Sequence, residues 1–170
     1  MSRNLFSRRK PSSTVSQHEF NEAAHAQFME AFAAACAIAA CADGDIAPVE
    51  RRQFMAIARG EQRLAPFSYE ELSEEFACHA ATFRMDVDTA AELAYEKLDP
   101  MRARPRDAMA IVEACRKIVQ ADGVTFPDEL KALDQIRRAL GLDPDDGAAA
   151  TIPLLPNLPA SAAQAIPAAA

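Results

Sequence analysis

Carboxylates recur in this chain at a fixed spacing. Ala42-Asp43-Gly44-Asp45-Ile46-Ala47-Pro48-Val49-Glu50 returns as Ala121-Asp122-Gly123-Val124-Thr125-Phe126-Pro127-Asp128-Glu129. Each copy follows an apolar, helix-like run, sets a Pro four residues after the Gly, and sets a Glu two residues after that Pro. Oxygen-rich loops of this kind suit hard divalent cations, and Ca²⁺ takes about six to eight oxygen ligands from carboxylates, carbonyls and water. The first loop offers Asp43, Asp45 and Glu50; the second offers Asp122, Asp128 and Glu129. One loop alone is under-liganded, so a site needs backbone carbonyls, water or both loops together. The pattern is not an EF-hand, because the Gly directly follows the first Asp and the Glu comes too early.

The same residues have a second reading as helix punctuation. Gly44 and Gly123 supply positive φ at a helix end. Pro48 and Pro127 suit the first position of the next helix, and Glu50 and Glu129 then fall third, where a carboxylate reaches back to a free backbone N–H. Asp43 and Asp122 are not explained in this way. Each faces the negative end of a helix dipole, which costs roughly 0.3–1 kcal/mol. Repetition of an unfavourable choice implies a compensating interaction, and a bound cation is one.

Positioning these loops requires helices. Apolar residues at helical spacing predict a first helix over about 18–42, with Phe28, Phe32, Ala35, Ile38 and Ala39 on one face. A second starts at Pro48 and carries Phe54, Ile57 and Ala58. Ser68-Tyr69-Glu70-Glu71 is a capping box ahead of Leu72, Phe76 and Phe83. Asp86 or Asp88 caps a helix running to about Leu98, with Ala91, Leu93, Ala94 and Leu98 inward. Pro105 opens a helix holding Met109, Val112, Cys115, Ile118 and Val119. Pro127 opens the last, with Leu130, Leu133, Ile136 and Leu140, and Gly141 stops it. No sustained period-two alternation marks a strand. The expected fold class is all-α: a single bundle of about six to seven helices containing two pseudo-repeated helix-loop-helix hairpins. Aligning the copies pairs Cys36 with Cys115 and Ile57 with Ile136, so the repeat extends into both flanking helices.

Bulk properties agree. The chain has 170 residues, enough for one domain with a core; half are hydrophobic, only 6% are aromatic, and Trp is absent. Five glycines and an Ala/Leu/Ile-rich palette favour helix. A net charge of −7 disfavours nucleic acid and favours cations or basic partners. Residues 1–17 read as a flexible N-terminal segment, 18–144 as the helical domain and 145–170 as a disordered Ala/Pro-rich tail. No signal peptide is expected, and the stretch Phe28–Ala42 reads as too short and Ala-rich to insert in a membrane. Cys36, Cys41, Cys78 and Cys115 form no Cys-x-x-Cys pair and read as buried thiols in a reducing, cytoplasmic setting.

The paired acidic segments, each after an Ala/Cys-rich helix, resemble the TerB-like family of tellurite-resistance proteins over about 23–142. The resemblance implies an all-helical fold, divalent-metal binding by an acidic surface, and a role in stress-response assemblies at the inner face of the membrane through protein partners. It implies no enzymatic reaction. Carried onto this chain, the metal positions are Asp43, Asp45, Glu50, Asp122 and Glu129. Two departures matter. Val124 stands where the first copy has Asp45, with Asp128 as a partial replacement for it. The Ser or Thr usual before the helix-starting Pro is Ala47 in one copy and Phe126 in the other.

Other constellations carry less. Cys78 and His79 are adjacent on a helix and so point apart, which reads as a buried thiol beside a surface imidazole. His18 and His25 lack a third zinc ligand. Glu70, Glu71, Glu74 and Glu75 read as a solvated face, and Arg102, Arg104 and Arg106 as a connecting segment that complements nearby acids. No phosphate loop or catalytic triad is present. The functional expectation is a non-enzymatic, divalent-cation-binding module in a tellurite-resistance or envelope-stress system. The alternative is a protein–protein interaction scaffold whose acidic loops are purely structural.

Overall fold

The computed structural model describes residues 13–142, except 43, 45, 47, 122 and 124, with side chains from residue 19 onward. The expectations for 1–12 and for the tail beyond 142 lie outside the described residues. Among the described residues six α-helices follow one another: α1 (Ser13–Ala40), α2 (Pro48–Gly60), α3 (Tyr69–Met85), α4 (Val87–Leu98), α5 (Pro105–Val119) and α6 (Pro127–Ala139). Short 3-10 turns at Gln62–Leu64 and Asp99–Ala103 join α2 to α3 and α4 to α5. No strand occurs among the described residues. The chain is an all-α bundle, as the periodicity requires.

Local chemistry sets the helix ends. Ser68 accepts from the Glu71 N–H at 3.2 Å while the Glu71 carboxylate accepts from the Ser68 N–H at 2.7 Å, a complete capping box. Asp86 caps α4 through the Thr89 N–H, 3.2 Å, and the Thr89 hydroxyl, 2.7 Å. Prolines 48, 105 and 127 each open a helix. α1 is described from Ser13 onward.

α1 is the central element. Every residue from 31 to 40 is buried, because α3, α4, α5 and α6 all pack on it. Such a helix shows no amphipathic stripe: it is covered on all sides. Its longer segment Glu19–Ala40 is long and apolar enough by length and composition to cross a membrane, but most of it is covered by neighbouring helices, as in the core helix of a globular bundle. A ladder of Phe rings ties three helices together: Phe28–Phe32 and Phe32–Phe54 have centroids 5.8 and 5.9 Å apart, and Phe54 stacks on Phe76 at 4.2 Å.

Several facing assignments differ from the sequence pattern. Leu93 is 49% exposed, and α4 buries Ala90, Ala94 and Leu98 instead. Met109 is 45% exposed, and α5 turns Ala108, Ile111, Ala114, Cys115, Ile118 and Val119 inward. The four cysteines are free, but not uniformly buried: Cys36 and Cys115 are buried, Cys41 is half-buried and Cys78 is exposed. The pair at 78–79 is the reverse of expectation, since the His79 side chain is only 14% exposed. It lies against Glu75, 3.4 Å away, on the side where α3 meets α4 and α1.

Candidate functional site: the paired acidic loops

The relative direction of α1 and α5 decides whether the two acidic loops leave from the same end of the bundle. Arg104, just ahead of α5, donates to the Ala24 carbonyl at 3.4 Å and to Gln27 Oε1 at 2.9 Å. Further along both helices, Cys36 hydrogen-bonds Cys115. The two helices therefore run parallel, and their C-terminal ends lie at the same end of the bundle. Both acidic loops leave from that end, hereafter the loop end.

The return helices confirm the arrangement. Beyond α2, the Arg63 carbonyl accepts from His25 Nδ1–H at 2.8 Å and the Arg63 guanidinium pairs with Asp107 at 2.9 Å, so α2 climbs back to the middle of α1 and the start of α5. Beyond α6, Gly141 lies against Arg102, beside the start of α5. α2 packs on α5, and α6 packs on α5 and α1. The sequence repeat is thus a pair of hairpins joined core to core.

The loops share their backbone design. Cys41 N–H donates to Ala37 C=O at 2.9 Å and Gly44 N–H to Cys41 C=O at 3.0 Å; the equivalent bonds are Gln120 to Arg116, 3.1 Å, and Gly123 to Gln120, 3.2 Å. Gly44 and Gly123 hold φ of +104° and +80°, the region that disfavours any Cβ, and both are exposed with open space around them. This is the helix-end role expected of both glycines.

Glu50 and Glu129 open α2 and α6 at equivalent positions. They are the two buried charged side chains among the described residues, 7% and 5% exposed. Glu129 Oε2 accepts the Phe126 N–H at 2.5 Å. Phe126 offers no side-chain acceptor in return, so only the glutamate half of a capping box forms there. Asp128 does not join its neighbour: its carboxylate is exposed and pairs with Lys131 at 2.7 Å. Asp43, Asp45 and Asp122 lie outside the described residues. Among the described residues, which leave out those three, no group of three His, Cys, Asp or Glu side chains gathers in a way that could hold a metal ion.

Two features escaped the sequence pattern. Burial of both glutamates was not expected of third-position helix residues, although their matched placement in the repeat was a signal. The arginines of α2 and α3 were passed over: Arg51, Arg52, Arg59 and Arg84 line a groove of about 630 Å³ that reaches down to Ile46 and Pro48 of the first loop. The spacing of Arg51, Arg52 and Arg59 around Met55 and Ala56 on one helix was the available clue.

No match is found among curated proteins, and none among solved structures. The family model described as tellurite resistance protein TerB matches residues 29–152, a span that takes in both acidic loops, both buried glutamates and all of α2 to α6. With that match across most of its length, the chain belongs to the TerB family of tellurite-resistance proteins.

Proposed function

We propose that the loop end binds a divalent cation and that the protein acts as a non-enzymatic, cation-responsive module of a tellurite-resistance or envelope-stress system. The observation that carries this reading is the placement of two acidic loops at one end of the bundle, each followed by a buried glutamate at the matching position. Available donors are carboxylate oxygens and loop carbonyls, a hard-oxygen set that suits Ca²⁺, Mg²⁺ or Mn²⁺ better than zinc. Asp43, Asp45 and Glu50 would supply the richer half, and Asp122 and Glu129 the poorer half. Asp128 is spent on Lys131 and contributes least.

A cation bound between the hairpins stabilises the folded state by linkage, about 2.7 kcal/mol at a hundredfold excess over Kd. It would hold α1–α2 and α5–α6 in one packing and so fix the surface presented to protein partners, which we place on the cytoplasmic side of the membrane. Calorimetric titration of the EDTA-stripped chain with Ca²⁺, Mg²⁺ and Mn²⁺ tests the proposal. One saturable site that weakens in Asp45→Asn supports it, and absence of heat with every ion opposes it.

A second reading rests on the Glu129–Phe126 bond. That bond gives a buried glutamate a purely structural task, and positive φ does the same for both glycines. On this reading the protein is an interaction scaffold with structural loops. The same titration separates the two.

A further inference from the structure

The groove between α2 and α3 has a chemistry opposite to that of the chain as a whole. The protein carries a net charge of −7, yet four arginines rim this one depression: Arg51, Arg52 and Arg59 from α2 and Arg84 from α3, all exposed. Among the described residues, Arg51, Arg52 and Arg59 pair with no carboxylate; Arg59 lies over the Tyr69 ring at 4.7 Å. The floor is apolar: Ala56 is exposed and Ala77 half-buried, and beneath them Met55, Phe76 and Ala80 are buried. Phe76 is backed by its stack on Phe54, so the floor is part of the rigid Phe ladder. The two walls run antiparallel. Tyr69, at the start of α3, meets Arg59 near the end of α2, and Arg84, near the end of α3, lines a small cleft with Gly44 and Ile46 of the first loop.

We infer that this groove docks an acidic amphipathic helix of a protein partner, its apolar stripe against Ala56 and Ala77 on the floor and its carboxylates on the arginine rims. Three observations select this occupant. The arginines are spread from Arg51 to Arg59 along α2, about 12 Å of helix, so a single small anion reaches only some of them. Guanidinium forks favour carboxylates in paired geometry. A groove between two helices with an apolar floor is the shape that accepts a third helix by its i, i+3, i+4, i+7 face. The inference does not depend on a cation at the loop end, and its test runs in EDTA.

The probe is a synthetic helical peptide of about 18 residues, with Leu on one stripe and Glu on both flanks, titrated into the full-length protein. Its counterpart carries Lys in place of every Glu. The acidic peptide is expected to bind at least about tenfold more tightly than the lysine peptide. Arg51→Glu/Arg52→Glu/Arg59→Glu should abolish that preference, and backbone NMR shifts should concentrate at Met55, Ala77 and Ala80. Should the triple variant fail to fold, Arg51→Gln/Arg52→Gln carries the same test on two exposed side chains. Equal binding of both peptides, undiminished binding by the arginine variants, no binding, or shifts on another face would each overturn the inference. Arginine-dependent binding to phosphatidylglycerol vesicles without peptide binding would overturn it in favour of a lipid surface. Self-association lost in the arginine variants would overturn it in favour of a second copy.

Discussion

The thiols of Cys36 in α1 and Cys115 in α5 hydrogen-bond each other in the core, and the two cysteines hold equivalent positions in the two copies of the acidic repeat. The hairpins thus meet through matching residues. That contact, together with Arg104 on Gln27, makes α1 and α5 parallel and brings both acidic loops to one end.

Burial, reinforced by the neighbouring Cys115 thiol, pushes the Cys36 thiol well above its ordinary pKa, so it stays protonated. With a thiol-reactive disulfide reagent, native protein should label quickly at exposed Cys78 and only after unfolding at Cys36 and Cys115, as peptide mapping of the labelled sites would show. Cys36→Ala and Cys115→Ala should each cost about 1 kcal/mol, and the double variant less than the sum, because the shared hydrogen bond is lost only once.

His79 gives the fold a pH dependence near neutrality. Burial lowers its pKa, outweighing the opposing pull of the Glu75 carboxylate; Lys97 also lowers it and Glu30 raises it. The folded protein therefore resists protonating a ring that the unfolded chain protonates near its ordinary value of about 6.5. Stability from this group is complete above that value and falls as pH drops through it toward the lower folded pKa. Urea midpoints should decline between about pH 7 and pH 5 in wild type, and His79→Gln should flatten that decline. An unchanged slope in the variant would remove His79 as the cause.

Helix caps supply a separate set of tests. Ser68→Ala and Asp86→Ala should each destabilise by about 1 kcal/mol in chemical denaturation. Phe126 is the reverse case: it stands at an N-cap without an acceptor and its side chain is 45% exposed. Phe126→Ser completes the box with Glu129 and should stabilise by about 0.5–1 kcal/mol. A loss of stability would mean that Phe126 packing outweighs the missing cap.

The helix boundaries were legible because they rest on local chemistry. Pro48, Pro105, Pro127, Ser68 and Asp86 each act within a turn of their own position, and all open helices where the sequence puts them. Which side faces inward was less legible. Alanine packs inside or out at little cost, so in α4 the close approach of neighbours favoured the Ala90–Ala94–Leu98 face over Leu93, and in α5 it left Met109 outside. The same ambiguity reversed Cys78 and His79. For the candidate site, the repeat placed Glu50 and Glu129 correctly at their helix starts. Their burial was not legible there, and the departure of both loops from one end follows from α1 running parallel to α5, which no local pattern encodes.

The asymmetry between the loops is itself testable. Val124→Asp restores the carboxylate that the first copy has at Asp45 and should tighten divalent-cation binding by roughly tenfold, while Asp128→Asn, at an exposed position bonded to Lys131, should change it little. Equilibrium dialysis against Ca²⁺ measures both.

Thermal melting of the full-length chain in EDTA and then with Ca²⁺, Mg²⁺ or Mn²⁺, in wild type and in Asp43→Asn/Asp122→Asn, probes the loop-end cation most directly. Binding predicts that at least one ion raises the wild-type Tm by roughly 5–10 °C at a hundredfold excess over Kd and leaves the double variant unmoved. A wild type that melts at one temperature under every condition, alongside a double variant that melts with it, would contradict cation binding at these loops.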